Sequence, residues 1–310
     1  GADILITSTV QNSIVKTIDM SLLPPPAFVK TPLFSDVKSN LLSELQILYP
    51  QFNALLESDP AVKLLEIVAY REIIITARVN QGMLAVLLAF AKGSDLDQIG
   101  ANFDCLRLLI TPANPDVIPP TEAVYESDDE YRHRIQLSWY ARNTAGSTNA
   151  YNYFALSSDP DVLSAQAYGP PVTQPGYVDM YVLSRTGDGT PPQSLLNTVN
   201  AALSPDDTRP LTDFVTVKPA SNLNYRVEAV IVAGLGPDQN VLLNGAQSDL
   251  AIYVDTQHKI GATAALSGIY DAIHRDGTER VILISPTEDV IAGVGQAPYC
   301  TEIKLSVQMG

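Results

Sequence analysis

The chain has 310 residues, of which 46% are hydrophobic and 17% are charged, a balance typical of globular proteins with a large core. Nineteen Lys and Arg residues stand against 34 Asp and Glu residues, so the net charge is −15. A surface this acidic repels phosphate backbones and anionic lipids, which argues against nucleic acid and membrane partners. It favours solubility and a basic protein partner.

Neither a secretory signal nor a membrane span is expected. The start of the chain lacks the basic and apolar regions of a signal peptide. The most apolar run, from Met83 to Ala91, is far shorter than the 18 or so residues that a span requires. The two cysteines, Cys105 and Cys300, match no zinc or disulfide spacing, so we expect two buried thiols. These features predict a soluble protein that is made in the cytosol, a reducing compartment.

Residues 1–35 are predicted to form an extended arm. The stretch "SLLPPPAFVKTPLF" contains four prolines, which favour extended polyproline structure over a helix. Its hydrophobic residues follow no helical or strand period. We expect such an arm to pack along another surface, either of its own chain or of a partner.

The first long helix is predicted at 35–49. Ser35 is a suitable N-cap, and Pro50 ends the helix. Four apolar residues recur at helical spacing and form one stripe, namely Val37, Leu41, Leu45 and Leu48.

The second long helix is predicted from Pro60 to Ala91. Asp59 can cap it, and proline fits the first helical position. Its second half is apolar almost all round, which indicates that its own domain or another subunit covers it on every side. Gly93 is expected to be its C-cap, and a short helix is predicted at 94–103.

Strands and helices alternate in the rest of the chain. We predict helices at 127–139, 147–162, 190–203, 239–258 and 262–274. We predict strands at 177–185, 213–220, 224–234, 279–286 and 299–308. The stretch 177–220 therefore reads as a strand–helix–strand unit.

The fold class that follows is α+β. A helical region with a proline-rich arm precedes two small α/β domains of strand–helix–strand type. The predicted bounds are 1–35 for the arm, 36–115 for the helical domain, 116–222 for the central α/β domain and 223–310 for the C-terminal α/β domain.

The stretch "YESDDEYRHRIQ" at 125–136 holds four carboxylates, two arginines and one histidine. Ser127 and Glu130 have the spacing of a capping box, and acidic residues are favoured in the first turn of a helix. Arg134 lies four residues after Glu130 and can pair with it. The buried stripe of this helix is predicted to be Tyr131, Ile135 and Trp139. These structural roles account for the segment without a catalytic or metal-binding site.

A metal site is the alternative for the same stretch. Asp129 and His133 are four residues apart, which is possible ligand geometry, but one histidine and one carboxylate are too few.

Other catalytic patterns are equally weak. The loop "RTGDGTPP" at 185–192 lacks the Lys of a phosphate-binding loop, so its glycines are expected to allow a turn, with Thr190 as the N-cap of the following helix. No nucleophile elbow is present. A carboxylate pair for glycoside hydrolysis stays open, because Asp and Glu are plentiful. Asp206 and Asp207 are expected to form a salt-linked turn with Arg209.

The order of the segments resembles the baseplate J-like family, the wedge proteins of contractile phage tails and phage-derived bacteriocins. The resemblance covers about 22–307 and lies in "SDPAVKLLEIVAYREIIITARVNQ", "FAKGSDLDQIGANFDCLRL", "ESDDEYRHRIQLS", "VLSRTGDGTPPQSLLNTVNAAL", "DDTRPLTDFVTVKPA", "GIYDAIHRDGTERVILISP" and "YCTEIKLSV". No single motif among them is catalytic, but their number and order make the resemblance specific.

The resemblance implies a structural role without catalysis, metal or cofactor. Family members are building blocks of a baseplate wedge, in which copies of the protein join a second, tail I-like wedge protein through a helical bundle. Wedges close a ring around the hub and spike, and a change in the ring triggers sheath contraction. The protein would therefore be located in the baseplate of a phage, prophage or bacteriocin particle.

The helix 60–91 is the predicted intersubunit element of this wedge, and 223–310 is expected to contact neighbouring wedges. The interface residues that we expect on the helix are Leu64, Val68, Ile75, Leu84, Leu87 and Leu88.

Two other functions stay open from the sequence. One is a tail-associated peptidoglycan hydrolase with an unrecognised carboxylate pair. The other is a receptor-binding tail protein, although such proteins tend to be β-rich and this chain opens with helices.

Overall fold

A computed structural model of the chain describes residues 17–26, 28–52, 57–142, 146–169, 175–205, 208–234 and 238–310. The first sixteen residues of the predicted arm and the predicted turn at Asp206 and Asp207 lie outside the described residues. Within the described part of the chain, no helix is long and apolar enough to cross a membrane.

The helices of the described residues are α1 (Phe34–Leu48), α2 (Pro60–Ala85), α3 (Gly93–Ala101), α4 (Asp128–Ser138), α5 (Thr148–Ser158), α6 (Gln193–Leu203), α7 (Gln239–Gln257) and α8 (Leu266–Ile273). The strands are β1 (Leu109–Thr111), β2 (Val124–Tyr125), β3 (Val162–Tyr168), β4 (Tyr177–Ser184), β5 (Phe214–Pro219), β6 (Ser221–Ala233), β7 (Thr263–Ala264), β8 (Thr278–Ser285), β9 (Val290–Ile291) and β10 (Gln296–Met309). The predicted α+β class is confirmed.

The chain divides into two compact units. The helical unit comprises 18–107 and 127–132. The sheet unit comprises 108–126 and 133–310 together with Thr17. The domain bounds given above stay a prediction.

In the helical unit, α2 begins as predicted. The Asp59 carboxylate accepts the N–H of Ala61 at 2.8 Å, and Pro60 occupies the first helical position. Val37 of α1 and Val62 and Ala69 of α2 are buried.

The predicted extension of α2 to Ala91 is wrong, because the helix ends at Ala85. The N–H of Leu87 bonds to the carbonyl of Leu84, a tight turn that breaks the helical ladder. The Arg132 guanidinium then binds the carbonyls of Leu88 and Ala91 at 2.8 and 2.7 Å. Gly93 consequently does not cap α2; it has a φ of +49° and begins α3.

The central sheet of the sheet unit has the strand order β3-β4-β5 among the described residues. β4 and β5 are parallel, with Val178 opposite Val215, and α6 connects them, so the predicted strand–helix–strand unit is present. The core beneath them joins this sheet to α5 and α6 and contains Met180, Val199 and Leu203.

Two local predictions in this region are wrong. α5 ends at Ser158 rather than continuing to 162, and an unpredicted strand, β3, follows and pairs antiparallel with β4. α6 begins at Gln193 and not at Thr190. Proline restricts the residue before it to extended backbone, so the helix begins only after Pro192, which serves as its N-cap.

The second sheet has the order β10-β6-β8 in the described chain. β10 runs parallel to β6 over the whole length of β6, and β8 is antiparallel to β6. α7 and α8 cover one face of this sheet, where Ile231, Leu250 and Ile269 are fully buried. A smaller cluster that includes Leu183 and Ala297 joins the two sheets.

Candidate interaction surface

Helix α2 has two faces with different chemistry. On one face the Glu66 carboxylate lies 2.7 Å from the Lys38 ammonium of α1 and 2.9 Å from that of Lys63. The hydrogen bonds from Lys38 and Lys63 lower the pKa of Glu66. Because Val62 and Ala69 are buried and lie on the same side of the helix, this face is the one that packs on α1.

The described part of the arm also contacts this helix. The N–H of Val29 donates to Oδ1 of Asn80 at 3.0 Å, and Nδ2 of Asn80 donates to the carbonyl of Val29 at 2.8 Å. One side-chain amide therefore satisfies both backbone groups of Val29, as a neighbouring strand would. At Val29 the described part of the arm contacts its own chain, while the packing of the arm as a whole stays a prediction.

The other face of α2 is an exposed apolar stripe, which we define as Leu64, Val68, Ile75 and Val79. These side chains are 65%, 49%, 60% and 48% exposed. At 3.6 residues per turn they fall within an arc of about 60°. Ile67, which is 59% exposed, widens the stripe at one end. An exposed row of large apolar side chains is typical of an interaction site.

Three of the six expected interface residues belong to the apolar stripe, and three do not. Leu84 lies in the last turn of α2, while Leu87 and Leu88 lie in the turn after it, and all three are half-buried. Val79 belongs to the stripe but was not among the expected residues, although its spacing of four from Ile75 was visible in the sequence. The contact role of the six residues stays a prediction.

The segment at 125–136 has a structural role, as its pattern indicates. The Ser127 N–H donates to the Glu130 carboxylate at 3.0 Å, and the Glu130 N–H donates to Oγ of Ser127 at 3.3 Å, which confirms the capping box. Asp129 pairs with Arg132, while Nδ1 of His133 lies 3.4 Å from Oγ1 of Thr17. No group of three metal-binding side chains occurs in the part of the chain that the structure describes.

Asp128 fixes the start of α3 in the helical unit. Its carboxylate accepts the N–H of Gly93 at 3.1 Å and lies 2.7 Å from the Arg107 guanidinium, which also pairs with Asp97 at 2.7 Å. Burial opposes the charged form, but the bond from Gly93 and the pairing with Arg107 outweigh it and lower the pKa of Asp128. The Tyr131 hydroxyl donates to the carbonyl of Cys105 at 2.6 Å.

A buried ion pair in the sheet unit was not foreseen. Arg134 and Glu126 are each 4% exposed. Nε of Arg134 donates to Oε2 of Glu126 at 3.0 Å, and a second, shorter bond joins Nη2 to Oε1. Oε1 also accepts the N–H of Leu108 at 2.9 Å, and Nη1 of Arg134 donates to Oγ of Ser157 at 3.1 Å. This geometry orients both side chains and pairs both charges.

The buried stripe of α4 is confirmed at Tyr131 and Ile135, which are fully buried, but it is wrong at Trp139, which is 61% exposed. α4 ends at Ser138, so the tryptophan lies beyond the helix and no longer shares its buried face.

The loop at 185–192 is a turn, as expected. Gly187 and Gly189 have φ values of +64° and +89°. A Cβ on Gly189 would lie 2.8 Å from Leu183 and 2.9 Å from the His258 ring, so the loop closes against its own chain. Of the two free thiols, Cys105 is buried as expected, whereas Cys300 is only half-buried.

A long helix with an exposed apolar stripe, beside sheets that have buried cores of their own and an acidic segment with a structural role, indicates a protein that binds other proteins. The family profile of the baseplate J-like N-terminal domain matches 57–114, and that of the baseplate J-like central domain matches 143–219. Baseplate protein J of Escherichia phage P2 is 40% identical over 295 residues, which cover 93% of this chain and 97% of that protein.

The chain belongs to the baseplate J-like family. It is a structural protein of a phage baseplate rather than an enzyme. Four of the seven segments that carried the resemblance lie in the matched regions, apart from one residue at 220, and the segments at 126–138, 268–286 and 299–307 lie outside them.

Proposed function

We propose that the chain is a wedge component that joins neighbouring baseplate proteins through the apolar stripe of α2. The partners are a second, tail I-like wedge protein, further copies of this chain, and other baseplate and hub proteins. Wedges close a ring around the central hub, and a rearrangement of that ring triggers contraction of the sheath. The C-terminal part, 223–310, makes contacts between neighbouring wedges.

The exposure of the stripe is the observation that supports this assignment. Of the described side chains of α2, only Val62 and Ala69 are buried, although the helix runs for 26 residues. Transfer of apolar surface out of water stabilises by about 25 cal/mol per Å². A helix that leaves four large aliphatic side chains in water therefore has a driving force to bind another helix.

A contact between the apolar stripe of α2 and a partner helix is also compatible with a conformational switch of the ring. Interfaces of moderate size can have two packings that differ by a few kcal/mol, so an external force can shift the population between them. The arm is joined to the same helix through Asn80, on the side away from the stripe. Partner binding at the stripe thus leaves the arm contact intact.

Native mass spectrometry of the chain co-expressed with the second wedge protein tests the proposal. We expect a stable complex that contains both proteins, and we expect Leu64→Asp with Ile75→Asp to abolish it. Tyr70→Asp is the matched control, because Tyr70 is 60% exposed on the same helix but points away from the stripe.

Circular dichroism of the double variant should show unchanged helix content, since both positions are exposed. A double variant that still assembles as well as Tyr70→Asp contradicts the assignment of the stripe. A wild-type chain that stays monomeric beside its partner contradicts the wedge proposal as a whole.

A further inference from the structure

A partly enclosed cavity of about 140 Å³ lies at one end of the central sheet, between α5 and the starts of β4 and β5. Its walls include three glycines, a tyrosine and one carboxylate. These are Gly146, Gly169, Gly176, Tyr151 and Asp213, and Thr148 also lines the cavity. A volume of this size holds a small planar molecule such as benzene.

The glycines keep the cavity open. Gly146 and Gly176 have φ values of +66° and +88°, a conformation that other residues avoid. A Cβ on Gly146 would lie 2.8 Å from the Asp213 carboxylate, and one on Gly176 would lie 2.9 Å from the carbonyl of Thr212. Larger residues at either position would therefore close the space.

Asp213 gives the cavity its charge. Its Oδ2 accepts the Tyr151 hydroxyl at 2.6 Å, and its Oδ1 lies 3.5 Å from the hydroxyl of Thr212, which is long for such a bond. A carboxylate has about four acceptor positions. Asp213 thus keeps acceptor capacity toward a further donor.

Tyr151 occupies one acceptor position of the Asp213 carboxylate, on Oδ2. Burial raises the pKa of its phenol, and the bond to Asp213 raises it further, so the hydroxyl stays protonated and donates to Oδ2. Arg209 lies near this site as well, and its guanidinium donates to the backbone carbonyls of Ser204 and Asp213.

We propose that this cavity binds an arginine side chain presented by another baseplate subunit, with the guanidinium donating to Asp213. A planar guanidinium matches both the size of the cavity and the fork geometry of a carboxylate. The net charge of −15 makes a basic partner the complementary one. Only the identity of the partner as a baseplate subunit rests on the proposed function.

An apolar contact surface lies at the same end of the sheet, on its other face. The rings of Tyr177 and Phe214 are stacked at 5.4 Å, and they are 47% and 61% exposed. Aromatic residues are enriched in protein interfaces. A subunit that docks at this end meets aromatic surface as well as the acidic cavity.

Titration of the isolated full chain with N-acetylarginine amide, followed by NMR, tests the cavity. We expect saturable shifts of the amide signals of Gly146, Gly169 and Gly176. The uncharged isostere N-acetylcitrulline amide should produce none. No shifts, or equal shifts with both compounds, would overturn the proposal while leaving the wedge assignment untouched.

Two variants sharpen the test. Asp213→Asn keeps an acceptor for Tyr151 but removes the charge, and it should weaken binding of the arginine probe about tenfold or more. Gly169→Leu adds bulk where a Cβ meets open space, so it should block the cavity without strain. Wild-type affinity in either variant contradicts the site.

Hydrogen exchange separates docking of a subunit from binding of a free small molecule. In the assembled baseplate, the amides of Gly146 and Gly176 should exchange more slowly than in the isolated chain. Equal exchange rates in the two states would show that no subunit occupies the cavity.

Discussion

Ile75 and Ile231 are the same type of residue, but one is exposed and the other is buried. Ile75, on α2 of the helical unit, is 60% exposed, whereas Ile231, on β6 of the sheet unit, is fully buried beneath α7. Each of the two three-stranded sheets has its own cluster of twelve buried residues, while α2 buries two residues and exposes a stripe. The sheets thus contain their own core, and α2 has an apolar face available to another protein.

Glu126 and Asp128, two carboxylates near the start of α4, also differ in how deeply they are buried. Glu126 and its partner Arg134 are buried in the sheet unit, whereas the side chain of Asp128 in the helical unit is 33% exposed. A buried charge without its partner is costly, while an exposed pair contributes little. Substitutions at these positions should therefore differ in effect.

The largest effect is expected from Glu126→Gln, because it leaves Arg134 charged and buried. We expect a loss of about 3–5 kcal/mol in the free energy of unfolding, measured by urea denaturation. Replacement of both Glu126 and Arg134 by methionine removes both charges and should recover most of that loss. A single variant as stable as the wild type would show that the pair is open to water.

The second-largest effect on stability is expected at Ile231, and Ile75 provides a direct comparison. Ile231→Ala should lower the free energy of unfolding by about 2–5 kcal/mol, because it leaves a cavity in a close-packed core. Ile75→Ala should change it by less than about 0.5 kcal/mol in the isolated chain. Equal losses in the two variants would contradict the exposure of the stripe.

The smallest effect concerns Asp128 and has a defined pH dependence. Its folded pKa is lowered, so its interactions stabilise the fold fully above the unfolded pKa of about 3.9 and lose this contribution as the pH falls through the folded pKa. Asp128→Asn should cost about 1 kcal/mol at pH 7, and progressively less as the pH falls through the folded pKa.

Asp129→Asn is the matched control for that experiment, since the Asp129 side chain is 93% exposed. Its free energy of unfolding should stay within about 0.5 kcal/mol of the wild-type value, both at pH 7 and at a pH below the folded pKa of Asp128. A loss for Asp128→Asn that does not depend on pH would show that charge is not the cause.

Local sequence signals predicted the elements whose ends are set by their own residues. The cap at Asp59, the capping box at Ser127 and the parallel unit from Tyr177 to Pro219 all follow from nearby side chains. The shared face of Leu64, Val68 and Ile75 was visible in the same way, because these residues recur at helical spacing; their role as an interface stays a prediction. The start of α6 at Gln193 also follows from a local signal, because Pro192 keeps the residue before it in extended backbone.

Long-range contacts set the features that were missed. α2 ends early where Arg132, more than forty residues away in sequence, binds the carbonyls of Leu88 and Ala91. β3 faces the core with alanines at 165 and 167, whose small side chains give weak hydrophobic alternation. The pair of Glu126 and Arg134 and the cavity at Asp213 exist only after the chain has folded.

The pairing of β10 with β6 also has a kinetic consequence. Gln296 lies opposite Ser221, whereas Val182 of β4 lies opposite Ala165 of β3, so the first pair closes a loop more than four times longer. The loop-entropy difference is about 1 kcal/mol. The β3–β4 pairing should therefore form before β10 docks on β6, and until β10 docks one edge of β6 is open to other chains.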